Sequence, residues 1–376
     1  MPLKFVFGPS GSGKSTYLYQ HVIEESEKYP LKNFIVLVPE QFTMQTQKDL
    51  VSMHPRHGIM NIDVLSFARL AYRVFEETGT KQMQVLDDEG KNLILRKIAG
   101  DYENKLTVLK GNIKKLGYIS EVKSVISEFT QYDIGEEEMD EMLDHLDEDS
   151  RLYYKLKDIR LLYEGFQDYL RERYITKEEL LDVLNSQVKE SELLKNSVVV
   201  LDGFTGFTPV QNRLILELMR CCKEVWVTVT MDERENPYAY KHPYQLFGLS
   251  KQMVTTLVRM AGEDHIEVEE PVCLYGYPVK RFEKNQELAF LERNIFRYGS
   301  GRYDKAVENL EIHAAGNPRQ EADAVAEGIR RLVRKEQYRY RDIGVIVSDM
   351  NVYGDYLEQA FENYGIPVFM DHKRSI

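Results

Sequence analysis

The densest chemical signal in the chain is Gly8-Pro9-Ser10-Gly11-Ser12-Gly13-Lys14-Ser15, followed by Thr16. It fits the pattern G-x-x-x-x-G-K-[ST]. Glycines at these spacings let successive backbone N–H groups turn inward around phosphate oxygens, and a helix starting here adds its positive end. Gly8, Ser10, Gly11, Ser12, Gly13 and Thr16 then form a cradle for ATP. Lys14 is spaced to bridge the β- and γ-phosphates, and the Ser15 hydroxyl to ligate Mg²⁺. The motif carries weight only between a buried strand and a helix. Leu3–Phe7 reads as the strand, and Thr16–Lys28, with Leu18, Val22 and Ile23 on one face, reads as the helix.

Such a loop works with an apolar strand that ends in an acid. Ser197-Val198-Val199-Val200-Leu201-Asp202 is the candidate far downstream, with Asp202 as the second Mg²⁺ residue. Hydrolysing enzymes of this kind commonly place a glutamate next as general base, but here the next residue is Gly203. Asp232 and Glu233, after the following strand, are the alternative acids.

The positioning elements alternate. Phe34–Val38, Asn61–Leu65, Ser197–Asp202 and Glu224–Thr230 read as strands, and Pro209–Cys221 as a helix between the last two. The alternation predicts a doubly wound parallel sheet with its ligand at the carboxyl ends of the strands. From Asp87 to Lys195 strand signals vanish in favour of amphipathic stretches at Asp88–Gly100, Ile119–Tyr132, Gly135–Leu146 and Leu152–Tyr174. Beyond Asn309, strands at Leu310–Ala314, Asp342–Val347 and Ile366–Met370 alternate with helices at Arg319–Lys335 and Tyr353–Tyr364, the latter closed by Gly365. The expected organisation is an α/β domain of residues 1–86 plus 196–282, a helical insertion of 87–195, and a partial α/β domain of 283–376. Three strands are too few for a complete second sheet, so the chain reads as a truncated form.

Composition narrows the class. With 49 Lys and Arg against 61 Asp and Glu, the net charge is −12. Whole-surface attraction to nucleic acid is thereby disfavoured, and any DNA contact must use a local groove. Ten of the acids fall between Asp133 and Asp149 without a Lys or Arg, which marks a solvated helix face. Cys221, Cys222 and Cys273 are the 3 cysteines and have no zinc-ligand spacing. No apolar run approaches the roughly 18 residues of a membrane span, and the start is too short for a signal peptide. A cytoplasmic protein without a membrane partner is the expectation.

The P-loop, the helical insertion and the second α/β unit together resemble a RecA-like, superfamily 1 helicase. Four segments narrow this: Leu37-Val38-Pro39-Glu40-Gln41-Phe42-Thr43, Val64-Leu65-Ser66-Phe67-Ala68-Arg69-Leu70-Ala71, Leu201-Asp202-Gly203-Phe204-Thr205-Gly206-Phe207-Thr208-Pro209 and Tyr364-Gly365-Ile366-Pro367-Val368-Phe369-Met370-Asp371. They resemble the AddB family of bacterial AddAB helicase–nucleases along essentially the whole chain. The resemblance implies a role in processing double-strand DNA breaks for recombination, with an AddA-like helicase–nuclease partner. It implies a nuclease domain and a 4Fe–4S cluster only beyond this chain. It also implies a weak motor whose groove reads the hotspot sequence Chi in a passing single strand. Gly203, the Thr230-Met231-Asp232 strand end and Ser348 depart from the pattern of active relatives.

A single-strand groove needs π-faces and polar groups at the sheet's carboxyl edge. The candidates for single-stranded DNA are Gln41, Phe42 and Thr43 after one strand, Phe67, Arg69 and Tyr72 after the next, and Phe204 and Phe207 after the Asp202 strand. An ATP-driven translocase with another acid as base is the competing reading, and a small-molecule kinase a third.

Overall fold

The computed structural model describes residues 2–79, 84–113, 115–171, 174–299 and 301–370. Asp371, part of the segments quoted above, lies outside them. The chain forms two compact units, residues 1–300 and 301–376.

The first unit is built on β1 (Leu3–Gly8), α1 (Lys14–Lys28), β2 (Asn33–Leu37), α2 (Thr43–Met53), β3 (Ile62–Leu65) and α3 (Phe67–Thr78). There follow β4 (Gln84–Leu86), α4 (Asp88–Asp101), α5 (Leu116–Gln131), α6 (Glu136–Asp144), α7 (Arg151–Leu170), β5 (Tyr174–Thr176), α8 (Leu180–Gln187) and α9 (Glu192–Lys195). It returns to the sheet through β6 (Ser197–Leu201), α10 (Pro209–Cys221), β7 (Glu224–Thr230), α11 (Gly248–Glu263), β8 (Val272–Cys273) and α12 (Gln286–Asn294). The six-stranded sheet has the order β3-β2-β6-β7-β1-β8, and every pairing in it is parallel.

The apolar runs explain the layers. A parallel sheet covered on both faces needs strands that are apolar at every position, and the period of two sends alternate residues to opposite faces. Phe5, Phe7, Ile35, Leu37, Val199 and Leu201 join one core with residues of α3, α8, α10 and α11. Val6, Phe34, Val36, Val198 and Val200 join another with Leu18, Val22 and Ile23 of α1 and Leu50 of α2. The helix expected at Pro209–Cys221 forms with those bounds. Thr208 caps it, its hydroxyl accepting from the Gln211 N–H while the Gln211 side chain accepts from the Thr208 N–H.

The insertion has its own core, with Leu95, Ile98, Ile113, Ile119, Leu162 and Phe166 at its centre. The expectation of an all-helical insertion needs correcting. Tyr174–Thr176 is a strand that pairs in parallel with Gln84–Leu86. A three-residue strand carries too little periodicity to be read within a helical stretch. The short β8 and the long α11 likewise went unread.

In the second unit, helices α13 (Pro318–Lys335) and α14 (Met350–Tyr364) pack together through Ala322, Ala326, Leu357 and Phe361. Gly365 closes α14 at φ +62°, as expected. The three strands expected here are not formed. Leu310–Ala314, Asp342–Val347 and Ile366–Met370 join no ladder, and Ile312, Ile346 and Phe369 are exposed. An apolar run makes a strand only when a neighbour satisfies its backbone groups, and periodicity says nothing about whether that neighbour is there.

Candidate functional site

The loop between β1 and α1 takes the form its glycines permit. Gly11 and Gly13 have φ of +84° and +93°, a region that other residues enter only under strain. Gly13 is the N-cap of α1. Gly8 serves a different purpose, because a β-carbon there would collide with the Ser12 Oγ and meet the Leu274 carbonyl at 2.9 Å. The Ser12 Oγ itself is buried, with no hydrogen-bond partner among the described residues. Lys14 folds back over the loop, its Nζ donating to the Gly8 and Pro9 carbonyls at 2.9 Å each. Burial is the main cause that pulls the Lys14 ammonium down from 10.5 to about 8, with Arg281 adding to the fall and Asp202 opposing it.

β6 ends beside this loop. Asp202 is buried, and both its oxygens are engaged: Tyr19 Oη donates to Oδ2 at 2.7 Å and Thr228 Oγ1 to Oδ1 at 2.6 Å. Burial and the Asp202 charge push the Tyr19 hydroxyl well above its ordinary range, so it stays a donor. Tyr19 stands four residues after Ser15 on α1, one turn along the same face. Thr228 faces Asp202 because β6 and β7 run in register, with Leu201 opposite Val227. These two hydroxyls were missed from the sequence, although the helical spacing from Ser15 was a signal for Tyr19.

A cavity of about 460 Å³ opens at this point, lined by Ser10, Gly11, Gly13, Lys14, Ser15, Thr16, Asp202 to Thr205, Thr228, Thr230, Lys280 and Arg281. The positive-φ glycines, the helix start, the unpartnered Ser12 hydroxyl and the cations suit a bound phosphate chain, and Ser15 with Asp202 supplies the oxygen ligands Mg²⁺ prefers. Among the described residues that line it, Asp202 is the one carboxylate. Asp232 and Glu233 line a separate, smaller cleft. Asp232 is held by Arg234 and Arg297, and the Arg234 hydrogen bond is the main cause that lowers its carboxyl to about 2. An acid that weakly basic is a poor proton acceptor near neutral pH.

The sheet order brings the proposed DNA contacts to three adjacent strand ends, those of β3, β2 and β6. Gln41, Phe42, Arg69 and Tyr72 lie there, with Gln41, Phe42 and Tyr72 exposed and Arg69 on the helix surface. Thr43 and Phe67 are buried. Thr43 Oγ1 donates to the Glu40 carbonyl at 3.0 Å. Phe67, Phe204 and Phe207 form one ring cluster, with centroids 5.4, 6.4 and 5.2 Å apart. Phe204 and Phe207 are half-buried, so part of this cluster reaches the surface. Cys221, Cys222 and Cys273 are free thiols. Among the described residues no helix is long and apolar enough to cross a membrane.

Comparison with known proteins gives one consistent answer. The family model described as ADDB, N-terminal, matches residues 5–292. The chain is 44% identical over 383 residues to the B subunit of the ATP-dependent helicase/deoxyribonuclease of Lachnoclostridium phytofermentans, covering 100% of this chain and 33% of that protein. It is 34% identical over 376 residues to the protein of the same name from Clostridium kluyveri, and 35% identical over 379 residues to that of Caldanaerobacter subterraneus, again over its full length and 32% of theirs. The chain thus spans about a third of the length of these curated relatives. With the family model covering most of its residues and relatives aligning from end to end, this chain belongs to the AddB family, of which it represents the N-terminal part.

Proposed function

We propose that this chain is the nucleotide- and single-strand-binding part of a helicase–nuclease component that works on broken DNA, and that it hydrolyses ATP weakly. The names of its relatives, the B subunits of ATP-dependent helicase/deoxyribonucleases, support that setting and a partner similar to AddA. One observation carries the nucleotide reading: Lys14 and Asp202 face a single cavity at the start of α1, and among the described residues no other that lines it is a carboxylate.

In this RecA-like, P-loop reading the chain's residues act as follows. Backbone N–H groups of Gly11 to Ser15 hold phosphate oxygens at the positive end of α1. The Lys14 amine leaves the Gly8 and Pro9 carbonyls to meet the phosphate chain. Ser15 and Asp202 would hold Mg²⁺, which would supply charge neutralisation on the phosphates. Asp202 is fixed by the Tyr19 and Thr228 hydroxyls, so it would serve to hold the metal and not to take a proton from an attacking water. With Gly203 in place of a glutamate, the cavity binds nucleotide but lacks a base. Gln41, Phe42, Arg69 and Tyr72, with the surface part of the Phe204–Phe207 pair, would meet a single strand. Rings stack on bases and the amide and guanidinium read base edges, which is the chemistry that inspecting a hotspot sequence such as Chi requires.

Titration of the chain with Mg-ATP, with turnover followed with and without a short single strand, tests this. Binding that is lost in Lys14→Ala, with turnover far below about 10 s⁻¹, is expected. Single-strand-stimulated turnover on that order would establish a motor instead. Failure of the wild-type chain to bind nucleotide would overturn the reading.

A further inference from the structure

Two cations in the Lys14 cavity belong to neither motif. Lys280 and Arg281 sit on a short turn, Lys280–Phe282, between β8 and α12. Its contact with the phosphate-type loop is close. The Arg281 N–H donates to the Gly11 carbonyl at 3.0 Å. A β-carbon on Gly11 would meet the Arg281 Cβ at 2.7 Å, and one on Gly13 would meet the Lys280 Cδ at 3.4 Å. The glycines therefore admit this turn as well as permitting the loop's own curvature.

Both side chains line the cavity and are exposed, and among the described residues no carboxylate forms an ion pair with either. Facing them is Asp202, already bonded to two hydroxyls. Three cations thus surround one engaged carboxylate, and a site with that surplus of positive charge suits a polyanion. A guanidinium presents a planar fork of donors that matches phosphate oxygens, and such charge-assisted bonds are the strong ones.

We propose that Lys280 and Arg281 are a second phosphate-binding limb of this cavity, holding the terminal phosphates of a nucleoside triphosphate together with Lys14. The inference rests on the nucleotide reading above and adds to it a turn that lies far along the chain from the loop motif. In this assignment the limb meets phosphates beyond the first, so it favours a triphosphate over a monophosphate.

Equilibrium titration of the chain with labelled Mg-ATP and with AMP separates the two readings. The variants are Lys14→Ala, Arg281→Ala, Arg281→Lys and the double change Lys280→Ala with Arg281→Ala. Loss of one charge-assisted bond predicts about tenfold weaker ATP binding in Arg281→Ala, more in the double variant and partial recovery in Arg281→Lys, with AMP binding unchanged. ATP affinity within about twofold of wild type in the double variant, while Lys14→Ala is impaired, would overturn the limb alone. An equal loss for AMP would also overturn it, since the turn would then act only by shaping the loop. A wild-type chain that binds neither nucleotide would instead overturn the site itself.

Discussion

Replacing Lys14 by methionine should stabilise the chain in the absence of nucleotide and abolish its stabilisation by nucleotide. Burial holds the Lys14 ammonium at about 8, against 10.5 for an unperturbed lysine. Between those two values the unfolded chain keeps a proton that the folded chain has released. Stability therefore rises with pH across that window, and below about pH 8 the folded state carries the full cost of a desolvated charge. A difference of about 2.5 in pKa corresponds to about 3 kcal/mol. The two hydrogen bonds to Gly8 and Pro9 oppose this by about 1 kcal/mol each, which leaves a net gain of about 1 kcal/mol for Lys14→Met at pH 7. The gain should shrink as pH approaches 10.5. Nucleotide acts in the opposite direction. A ligand at a hundred times its Kd stabilises the wild type by about 2.7 kcal/mol, and the affinity should be flat below pH 8 and weaken above it as Lys14 loses its charge. Urea unfolding followed by the fluorescence of Trp226 measures both effects, since this residue, buried in β7 next to β1, is the single tryptophan. The reasoning fails if Lys14→Met is less stable than wild type at pH 7 without nucleotide, or if Mg-ATP stabilises the two chains equally.

Two further outcomes follow from the backbone. Gly203 has a φ of +79°, so Gly203→Glu should cost about 1 kcal/mol by forcing a side chain into the left-handed region, and Gly203→Asn less than half of that. Equal urea midpoints for the two variants would contradict the assignment of strain to that residue. In the insertion, the buried Asp158 on α7 accepts from the backbone N–H groups of Thr107, Val108 and Leu109. Asp158→Ala leaves three donors without a partner and should cost about 3 kcal/mol or more, with amide exchange at 107–109 speeding up first. Retained protection of those amides would show that the carboxylate is not what holds the turn.

The phosphate-type loop, the Asp202 strand and the helix–strand alternation around them could all be read from the chain, because each is a local pattern. Glycine at fixed offsets, apolar runs and helical spacing constrain only residues near one another in sequence. The four segments from Leu37 to Asp371 that resemble the AddB family pointed to the family that the comparisons then showed. What lay beyond local pattern was pairing. The order β3-β2-β6-β7-β1-β8, the parallel contact of β4 with β5, and the absence of ladders at Leu310–Ala314 and its two companions depend on which strand finds which neighbour. The same holds within the site. Thr228 reaches Asp202 only through strand register, and Lys280 and Arg281 reach the Gly11 loop only because β8 lies beside β1. Local sequence sets which backbone shapes are low in energy. Long-range burial and hydrogen bonding choose among them, and that choice brings charges distant in the chain into one cavity.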